Sequence, residues 1–412
     1  MTDTRFATLL KRGVAEIITE AELLRMLNSG RILNLKQGFD PSAPDIHLGH
    51  VVGLRKLRQF QELGHKVTLI VGDWTARIGD PSGQSATRPM LSTDEIQSNA
   101  QTYMEQFFKV VDKDRTELRW QSEWFSQFTL DEVIRLTSKF TIAQLLARED
   151  FSKRYSSGTP ISLAEMLYPL LQGYDSVAIR ADVEFGGIDQ KFNCLVGREL
   201  QQSTRQLPQQ IFLVPLLIGT DGHQKMSKSL HNYIGVSEPP REIYGKVMSI
   251  PDSLILDYFE LVTDVPEEEI AEFNEQLKTH SVNPMNLKKR LAHEIVRQFH
   301  GKQTADNAQE HFQGQFQTRE LHKMEATASI GLKTSAEVII TRDMPRWLVD
   351  NKFANSMSEA KRLLAQGAVR IIRADGTREV VKDENVEIKP GDGIKVGKLR
   401  FAKIVDAGKE GI

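Results

Sequence analysis

The chain has 412 residues, of which 40% are hydrophobic and 26% are charged, a balance typical of globular proteins rather than disordered or membrane-embedded ones. Its 53 basic and 55 acidic residues nearly cancel, so any nucleic-acid-binding surface would have to be a local basic face. The sequence has no apolar run of membrane-span length and no signal peptide, which predicts a cytoplasmic protein without a membrane partner. Its single cysteine excludes an internal disulfide.

The first half of the sequence predicts an α/β fold. Its short apolar runs are typical of strands, and a helix over residues 45–64, between the first two strands, could be capped by Asp45 and ended by Gly64. This β-α-β order is the unit of a parallel sheet with helices on its faces, in which ligands collect at the carboxyl ends of the strands. The predicted strands cover residues 31–37, 66–72, 178–187 and 209–219.

The rest of the chain divides into further segments, as expected for a length that exceeds what one hydrophobic core usually serves. From about Pro239 the sequence consists of helical segments without strands. A stretch of weak periodicity then precedes one amphipathic helix and several short strands. We therefore predict a parallel-sheet α/β domain over residues 1–235, an α-helical domain over 236–325, a linker over 326–341 and a small α+β domain over 342–412.

The stretch GFDPSAPDIHLGH, residues 38–50, is the first candidate site. His47 and His50 are three positions apart at a helix start, so their rings share one face, and Gly49 between them allows a ligand to approach the backbone. The helix N-terminus carries partial positive charge and free N–H groups, which suit an anion such as a triphosphate. Packed histidines and a metal site are the alternatives. Because no third metal ligand is evident nearby, we predict no metal site.

The stretch ISLAEMLYPLLQGYDSVAI carries a polar stripe on an otherwise apolar helix. Ser162 and Glu165 could form a capping box at its start, and Tyr168, Gln172 and Asp175 recur at i, i+4 and i+7, which places them on one face. Burial of an unpaired polar group costs about 2–7 kcal/mol. This face is therefore either exposed to solvent or the lining of a pocket for a polar ligand.

Three shorter motifs place glycines and polar residues after predicted strands. GDPSG, residues 79–83, contains Asp80; EFGGIDQ presents Asp189 and Gln190 beyond paired glycines; and KMSKS, residues 225–229, carries two lysines on a loop after the last strand. GDPSG and KMSKS alone are more typical of an ordinary turn than of a ligand site. In EFGGIDQ the carboxylate could hold sugar hydroxyls, and an ordinary tight turn is the alternative. Their order along the chain is more informative than any one of them.

In the order DIHLGH, GDPSG, YPLLQGYDS, GGIDQ and KMSKS, the sequence resembles the class I aminoacyl-tRNA synthetases and, among them, the tyrosyl-tRNA synthetases. The resemblance extends over essentially the whole chain. HLGH stands where the class has His-Ile-Gly-His, and KMSKS matches the second class signature without a change. The resemblance implies a Rossmann-like catalytic domain and an ATP-dependent, Mg²⁺-assisted ligase that forms tyrosyl-adenylate and then transfers tyrosine to the terminal adenosine of tRNA(Tyr).

The resemblance also implies a role for each motif residue. The catalytic residues would be His47 and His50, which stabilise the reacting phosphate, and Lys225 and Lys228, which grip the β- and γ-phosphates, while Asp189 would hold the ribose. The implied ATP-binding residues are Asp40, His47, Gly49, His50, Gly187, Asp189, Lys225, Met226, Ser227, Lys228 and Ser229. The implied tyrosine-binding residues are Asp175 for the phenolic hydroxyl, Tyr168 and Gln172 for the α-ammonium group, and Asp80 and Gln190 in the same pocket.

Two positions depart from the pattern of one branch of the family. Lys36 stands where that branch has a tyrosine near the phenol, and Gln84 stands where it has a lysine after GDPSG. Lys36 therefore removes one expected phenol contact. Gln84 shifts the expected pyrophosphate contact to Arg88 and to the lysines of KMSKS.

The C-terminal segment has a local basic excess. Residues 342–373 contain seven Lys or Arg against three acids, and the segment resembles the S-four-type RNA-binding domain. A basic surface helix without function is the alternative. The residues that the resemblance would set against tRNA, all within SEAKRLLAQGAV, are Ser358, Lys361, Arg362 and Gln366.

Two rival interpretations of the whole chain stay open. Tryptophanyl-tRNA synthetases share the fold and both signatures, but the YPLLQGYDS helix and the C-terminal RNA-binding segment favour tyrosine. A synthetase-like RNA-binding protein without catalysis is the second rival, and the intact HLGH and KMSKS motifs argue against it. The family forms homodimers through the catalytic domain and contacts the anticodon region with its helical domain, and we expect both features here.

Overall fold

Parallel strands and helices alternate through the first half of the chain in the computed structural model, which describes residues 6–42, 44–82, 91–314, 329–332, 339–341, 343–373, 377–381, 385–389, 391–397 and 400–406. The chain forms two compact units, Met1–Gln309 and Glu310–Ile412. Among the described helices, none combines the length and the apolar character that crossing a membrane requires.

Over its described residues, the first unit contains one sheet formed by β1 (Glu16–Ile18), β2 (Asn34–Phe39), β3 (Lys66–Val71), β4 (Thr116–Trp120), β5 (Val183–Gly187) and β6 (Gln210–Val214). The strand order is β1-β6-β5-β2-β3-β4, and all neighbours are parallel except β1 and β6. The chain runs outward from β2 to β4 and returns to place β5 on the other side of β2. Ligands of such sheets bind beyond the carboxyl ends of the strands where the order reverses, here between β2 and β5.

Helices account for most of the remaining residues of the first unit, and the last of them ends at Phe312, just past the boundary of the unit at Gln309. They are α1 (Ala7–Lys11), α2 (Glu20–Asn28), α3 (Leu48–Glu62), α4 (Thr75–Ile78), α5 (Thr93–Phe107), α6 (Ser122–Phe125), α7 (Leu130–Thr137), α8 (Ile142–Leu146), α9 (Glu149–Ser156), α10 (Leu163–Ile179), α11 (Lys191–Ser203), α12 (Pro240–Ser249), α13 (Ile255–Val262), α14 (Glu267–Lys278), α15 (Pro284–His300) and α16, which spans Lys302–Phe312. The predicted strands are confirmed as β2, β3, β5 and β6, although β5 begins five residues later than predicted, after the end of α10, and β6 ends five residues earlier. The predicted helical stretch is confirmed as α12 to α16.

Helix α3 begins later than predicted, because His47 and not Asp45 is its N-cap. Nδ1 of His47 accepts a hydrogen bond from the Gly49 amide at 3.2 Å. The predicted end is confirmed, since Gly64 follows the helix with a φ of 93°, a conformation that favours glycine.

The predicted sheet domain and helical domain do not form separate compact units, because the helical segment packs against the sheet domain. Buried Arg12 donates hydrogen bonds to the carbonyl oxygens of Phe259 at 3.1 Å and of Val265 at 2.7 Å, around the end of α13. Arg55 of α3 donates to Asp264 at 2.9 Å. These contacts between distant parts of the sequence unite the two predicted domains.

The second unit contains α17 (Met344–Asp350), α18 (Met357–Ala365) and the strands β7 (Ser329–Leu332), β8 (Ile339–Thr341), β9 (Val369–Ile372), β10 (Arg378–Val380), β11 (Val386–Ile388), β12 (Gly393–Val396) and β13, which spans Arg400–Asp406. Its core includes Leu348, Ala360, Ile371 and Ile394. The prediction of a linker over residues 326–341 is wrong, because β7 pairs with β13 and β8 pairs with β11. With four and three residues, β7 and β8 are too short to produce a clear sequence period.

Candidate active site

A cavity of about 640 Å³ opens at the carboxyl ends of β2 and β5. All described residues that were predicted to bind ATP or tyrosine line it, so the polar stripe faces a pocket. Arg88, predicted to contact pyrophosphate, and Gln84 lie outside the described residues. The predicted residues in the lining are Asp40, His47, Gly49, His50, Asp80, Tyr168, Gln172, Asp175, Gly187, Asp189, Gln190, Lys225, Met226, Ser227, Lys228 and Ser229.

Helix α10 carries the polar stripe into the cavity. The predicted capping box is present: the Ser162 hydroxyl accepts from the Glu165 amide at 3.1 Å, and the Glu165 carboxylate accepts from the Ser162 amide at 3.0 Å. Asp175 is 1% exposed, and its carboxylate accepts from Nε2 of Gln121 at 2.9 Å and from Nε1 of Trp124 at 3.2 Å. Burial raises the pKa of Asp175 to about 7, although both donors favour the ionised form.

A network of amides and one guanidinium connects the other polar residues of the pocket. Nε2 of Gln190 donates to Asp80 at 2.7 Å, and Nδ2 of Asn193 donates to the side-chain oxygens of Gln190 and Gln172, both at 2.9 Å. Buried Arg148 donates to Oδ1 of Asn193 at 2.9 Å and lies 3.5 Å from Asp80. The network fixes the Asp80 carboxylate in the cavity wall, where it can accept hydrogen bonds from an ammonium group.

Tyr168 and Asp40 form a second polar pair in the cavity wall. The Tyr168 hydroxyl donates to Oδ2 of Asp40 at 2.9 Å, and the Thr75 hydroxyl donates to Oδ1 at 2.7 Å. Burial, with the adjacent carboxylate, raises the pKa of Tyr168 well above its usual value, so its side chain stays a neutral phenol. Gly72 makes room for the pair, since a Cβ at this position would stand 2.3 Å from Oδ1 of Asp40.

His47 and His50 lie together at the start of α3, with ring centroids 4.0 Å apart. Nδ1 of His50 accepts from the His47 amide at 3.1 Å, and Nδ1 of His47 accepts from the Gly49 amide. A neutral ring protonated on Nε2 satisfies both bonds and leaves Nε2–H as a donor. Burial, followed by the charge of Lys228, lowers the pKa of His50 to about 3, and burial likewise lowers the pKa of His47. Both rings are therefore neutral donors at pH 7.

The backbone amides at the start of α3 are not free, contrary to the expectation from the sequence. The Leu48 amide donates to the Ile234 carbonyl at 2.9 Å, and the His50 amide donates to the His47 carbonyl at 2.9 Å. A Cβ at Gly49 would stand 2.9 Å from Cε1 of His47, so this glycine makes room for the imidazole. The features that attract an anion here are the helix dipole and the two Nε2–H groups.

The lysine loop, residues 225–229, brings two ammonium groups to the cavity wall. Nζ of Lys225 forms an ion pair with Asp189 at 2.9 Å. Nζ of Lys228 lies 5.1 Å from the centroid of the Tyr103 ring, within cation–π distance. Burial lowers the pKa of Lys228 to about 8, so this side chain is protonated in most of the molecules at pH 7.

Most of the chain matches one known protein family. A family model described as tRNA synthetases class I (W and Y) matches residues 28–317. The tyrosine–tRNA ligase of Dehalococcoides mccartyi (strain CBDB1) is 57% identical over 397 residues, which cover 96% of this chain and 98% of that protein. The tyrosine–tRNA ligase of Thermotoga maritima is 49% identical over 407 residues, which cover 98% of each chain. The chain belongs to the tyrosine–tRNA ligase family of class I tRNA synthetases.

Solved structures from this family share the fold. A C-terminally truncated mitochondrial tyrosyl-tRNA synthetase of Aspergillus nidulans superposes with a TM-score of 0.62 at 23% identity, covering 75% of this chain and 93% of that one. The Archaeoglobus fulgidus tyrosyl-tRNA synthetase complexed with L-tyrosine gives a TM-score of 0.61 at 24% identity, covering 74% of this chain and 99% of that one. At these identities the likeness shows the fold alone, and it confirms the predicted Rossmann-like α/β class.

Several residues that line the cavity belong to none of the motifs and were not predicted. Gln121, Thr75 and Tyr103 all line it. The oxygen of the Gln121 side chain accepts from the Thr75 amide at 2.9 Å while its amide group holds Asp175. Gln121 directly follows β4, so its place at the carboxyl end of a parallel strand is the signal that could have identified it.

The residues predicted to bind RNA lie on the second unit. Ser358, Lys361 and Arg362 are exposed on α18, and Gln366 is exposed at its C-cap. The spacing of these four residues places them on one face of the helix, because residues three or four positions apart are neighbours on a helix surface. Arg370 on β9 is exposed as well.

Proposed function

We propose that the cavity is the active site in which the chain activates L-tyrosine with ATP and then transfers tyrosine to the 3′-terminal adenosine of tRNA(Tyr). One observation carries the proposal: the described residues predicted for both substrates meet in one cavity where the strand order reverses. In a member of this family, that convergence favours a ligase over a non-catalytic RNA-binding protein.

We place the reaction in the cytoplasm with the translation machinery, and recovery of the protein with membranes after cell fractionation would contradict this location.

Tyrosine would lie along α10. Asp175 would accept from the phenolic hydroxyl, because its carboxylate is buried and already fixed by two donors. Tyr168 and Gln172 would accept from the α-ammonium group together with Asp80, whose orientation depends on Gln190. The donors and acceptors thus match both ends of the amino acid and leave its carboxylate directed towards ATP.

ATP would lie between the histidine pair and the lysine loop. In the first step, a carboxylate oxygen of tyrosine attacks the α-phosphorus, the bond from the α-phosphorus to the bridging oxygen breaks, and pyrophosphate leaves. The Nε2–H groups of His47 and His50 would donate to the developing charge, and Lys225 and Lys228 would neutralise the β- and γ-phosphates. Asp189 would accept from the ribose hydroxyls, and Lys225 would leave its ion pair with Asp189 to reach the phosphates.

Gly187 supports the proposed ribose site. A Cβ at this position would stand 2.6 Å from Oδ1 of Asp189 and 3.0 Å from Leu216, so a larger residue would displace the carboxylate. Met226 of the lysine loop contributes through its backbone. The Met226 amide donates to the Leu217 carbonyl at 2.7 Å and so ties the loop to the segment that follows β6.

We include Mg²⁺ as a partner of ATP. In the described part of the chain, no group of three or more His, Cys, Asp or Glu side chains could hold a metal ion by itself. Mg²⁺ commonly uses one or two carboxylates together with substrate phosphates and water, and Asp40 and Asp189 are carboxylates of the cavity wall. When bound with ATP, the ion would supply positive charge to the phosphates.

Exchange of labelled pyrophosphate into ATP tests the proposed reaction. We expect exchange that depends on L-tyrosine, with tryptophan inactive at the same concentration. Exchange with tryptophan in place of tyrosine would contradict the assignment of the substrate, and no exchange with any amino acid would contradict the assignment of an enzyme.

The second unit is proposed to bind tRNA through the exposed face of α18, while the helical segment α12 to α16 would contact the anticodon region. A chain that ends at residue 314 lacks the whole described C-terminal sheet, whereas one that ends near residue 335 would keep β7 without its partner β13. We expect the shorter chain to retain tyrosine-dependent exchange within about twofold and to lose about 10- to 1,000-fold in kcat/KM for tRNA, because phosphate contacts dominate such affinity.

A matched variant distinguishes a loss of tRNA binding from a loss of folding. Lys361→Glu with Arg362→Glu in the full chain should reduce aminoacylation in the same direction, because both side chains are exposed on α18 and their replacement leaves the core of the second unit unchanged. Undiminished aminoacylation by both the truncated chain and the double variant would rule out the proposed RNA role of this unit.

A homodimer is proposed from exposed apolar side chains on four consecutive helices of the first unit. A contiguous exposed apolar patch marks an interaction surface, and we propose that the side chains of these helices form one. The residues lie on α7, α8, α9 and the start of α10, and each is 56–80% exposed: Leu130, Ile134, Ile142, Tyr155 and Leu163.

Sedimentation equilibrium tests the homodimer. Leu130→Asp with Ile134→Asp should convert a dimer to monomers, since a buried unpaired carboxylate strongly opposes association. Leu207→Asp is the control, because Leu207 is also exposed and lies between α11 and β6, away from these helices in sequence. A wild-type chain that sediments as a monomer at micromolar concentration would refute the dimer.

A further inference from the structure

A charged pair lies buried behind the tyrosine pocket. Lys36 of β2 and Glu184 of β5 are directly opposite each other in the parallel register of the two strands. Their side chains are 0% and 1% exposed, and Nζ of Lys36 lies 2.9 Å from Oε1 of Glu184. Removing two charges from water is costly unless geometry and hydrogen bonding compensate, so a pair at this depth calls for an explanation.

The pair is attached to α10, the helix that presents the polar stripe. Nζ of Lys36 donates to the backbone carbonyl of Gln172 at 2.8 Å and to the hydroxyl of Ser176 at 2.9 Å, in addition to Glu184. The Ser176 hydroxyl lies 3.2 Å from Oε2 of Glu184 as a donor. The two attachment points, at Gln172 and Ser176, lie on either side of Asp175 in the sequence of α10. They therefore fix the position of Asp175 along the helix axis and the direction in which its side chain leaves the helix.

Lys36 has no hydrogen left for the substrate. An ammonium group has three N–H donors, and the carbonyl of Gln172, the hydroxyl of Ser176 and the carboxylate of Glu184 accept all three. Among the described residues, the cavity lining includes Gln172 and Asp175 but not Lys36, Ser176 or Glu184. The lysine therefore does not replace the missing phenol contact of the family pattern by a contact of its own.

We propose that the Lys36–Glu184 pair is a positioning element for substrate selection, which anchors α10 to β2 and β5 so that Asp175 meets the phenolic hydroxyl of tyrosine. This inference rests on the proposed role of Asp175. Selection against phenylalanine then depends on two residues that never touch the amino acid. They act by holding Asp175 in the position where the hydroxyl of tyrosine adds a third donor to those of Gln121 and Trp124, a donor that phenylalanine lacks.

The charges that face Asp175 support this arrangement. Burial raises the pKa of Asp175, the positive charge of Lys36 lowers it and the negative charge of Glu184 raises it. The two side chains that donate to the Asp175 carboxylate, those of Gln121 and Trp124, are uncharged. Loss of either member of the pair should therefore change the pKa of Asp175.

Tyrosine-dependent pyrophosphate exchange tests the proposal with the double variant Lys36→Met, Glu184→Gln, which leaves no uncompensated buried charge. We expect the KM for tyrosine to rise by at least about tenfold and discrimination against phenylalanine to fall, with the KM for ATP within about twofold of wild type. A purely structural role would lower the active fraction and thus kcat, with KM values and discrimination unchanged. That result would overturn the proposal.

The single variants add the pH dependence of kcat/KM as a measurement that a loss of folding stability does not change. In a plot of kcat/KM for tyrosine against pH, each single variant should shift the acidic limb, which is the fall in kcat/KM as Asp175 is protonated, and limbs that coincide with wild type in both variants would overturn the proposal. If the double variant does not fold, Ser176→Ala decides, since it keeps both charges and removes one attachment: unchanged KM and discrimination refute the anchor.

Asp175→Asn separates this proposal from the proposed function. If Asp175→Asn lowers discrimination and the variants of the pair do not, the anchor is wrong and the phenol contact stands. If Asp175→Asn leaves discrimination unchanged, the phenol contact itself is wrong, and the anchor falls with it.

Discussion

Replacement of Lys228 by alanine is expected to slow tyrosyl-adenylate formation by about 100- to 1,000-fold, the usual effect of removing one group that stabilises charge in a transition state. Lys228 lines the cavity, lies over the Tyr103 ring and is near enough to His50 to lower its pKa. Its ammonium group is therefore well placed for the leaving pyrophosphate. Rapid-quench measurement of adenylate formation checks the rate.

The affinity for tyrosine separates this effect from general damage. In Lys228→Ala the Kd of tyrosine should stay within about twofold of wild type, because Lys228 is proposed to contact the phosphates of ATP and not tyrosine. Lys302→Ala, an exposed lysine at the start of α16, serves as the control and should leave both quantities unchanged. An unaltered adenylate rate in Lys228→Ala would exclude the proposed role.

The pKa of Lys228 adds a dependence on pH. Burial lowers this pKa to about 8, so the charged form predominates below pH 8 and is lost as the pH rises through that value. We expect kcat/KM for ATP, which reports the free enzyme, to fall above pH 8 in the wild type. The same basic limb should be missing in Lys228→Ala.

The parts of the fold and site that follow one local pattern could be predicted from the sequence. The β-α-β order gave the parallel sheet, and the i, i+4, i+7 spacing gave the stripe of α10 that lines the cavity. The start of α3 was placed too early because Asp45 is a common capping residue, whereas the imidazole of His47 caps the helix.

Other parts depend on residues far apart in the chain. Gln121 reaches Asp175 across 54 residues, and Lys36 reaches Glu184 across 148 residues through the register of β2 and β5. Lys36 was visible in the sequence as a departure from the family pattern, but its partner was not, because strand order and register are set by the packing of the whole sheet. The strands β7 and β8 were missed for a related reason, since they are recognisable only through their pairing with distant strands.

Replacement of Asp175 by asparagine is expected to lower kcat/KM for tyrosine by about 10- to 150-fold, which corresponds to the roughly 1.5–3 kcal/mol of a hydrogen bond to a charged group. Both carboxylate oxygens of Asp175 accept hydrogen bonds, from Gln121 and Trp124. In asparagine one oxygen becomes an NH₂ group that faces a donor, so the side chain loses an internal bond as well as its charge. Activity with phenylalanine should change far less, and exchange assays with both amino acids measure the ratio.

The same variant should also change the pH profile. Because burial raises the pKa of Asp175 to about 7, the free enzyme holds a growing fraction of neutral carboxylic acid as the pH falls below 7. We expect kcat/KM for tyrosine in the wild type to decrease towards acid with an apparent pKa near 7 and Asp175→Asn to lack this limb. The histidine pair cannot produce the limb, since the pKa of His50 lies at about 3 and that of His47 is well below its usual value. Persistence of the acidic limb in Asp175→Asn would therefore assign it to another group and contradict the phenol contact.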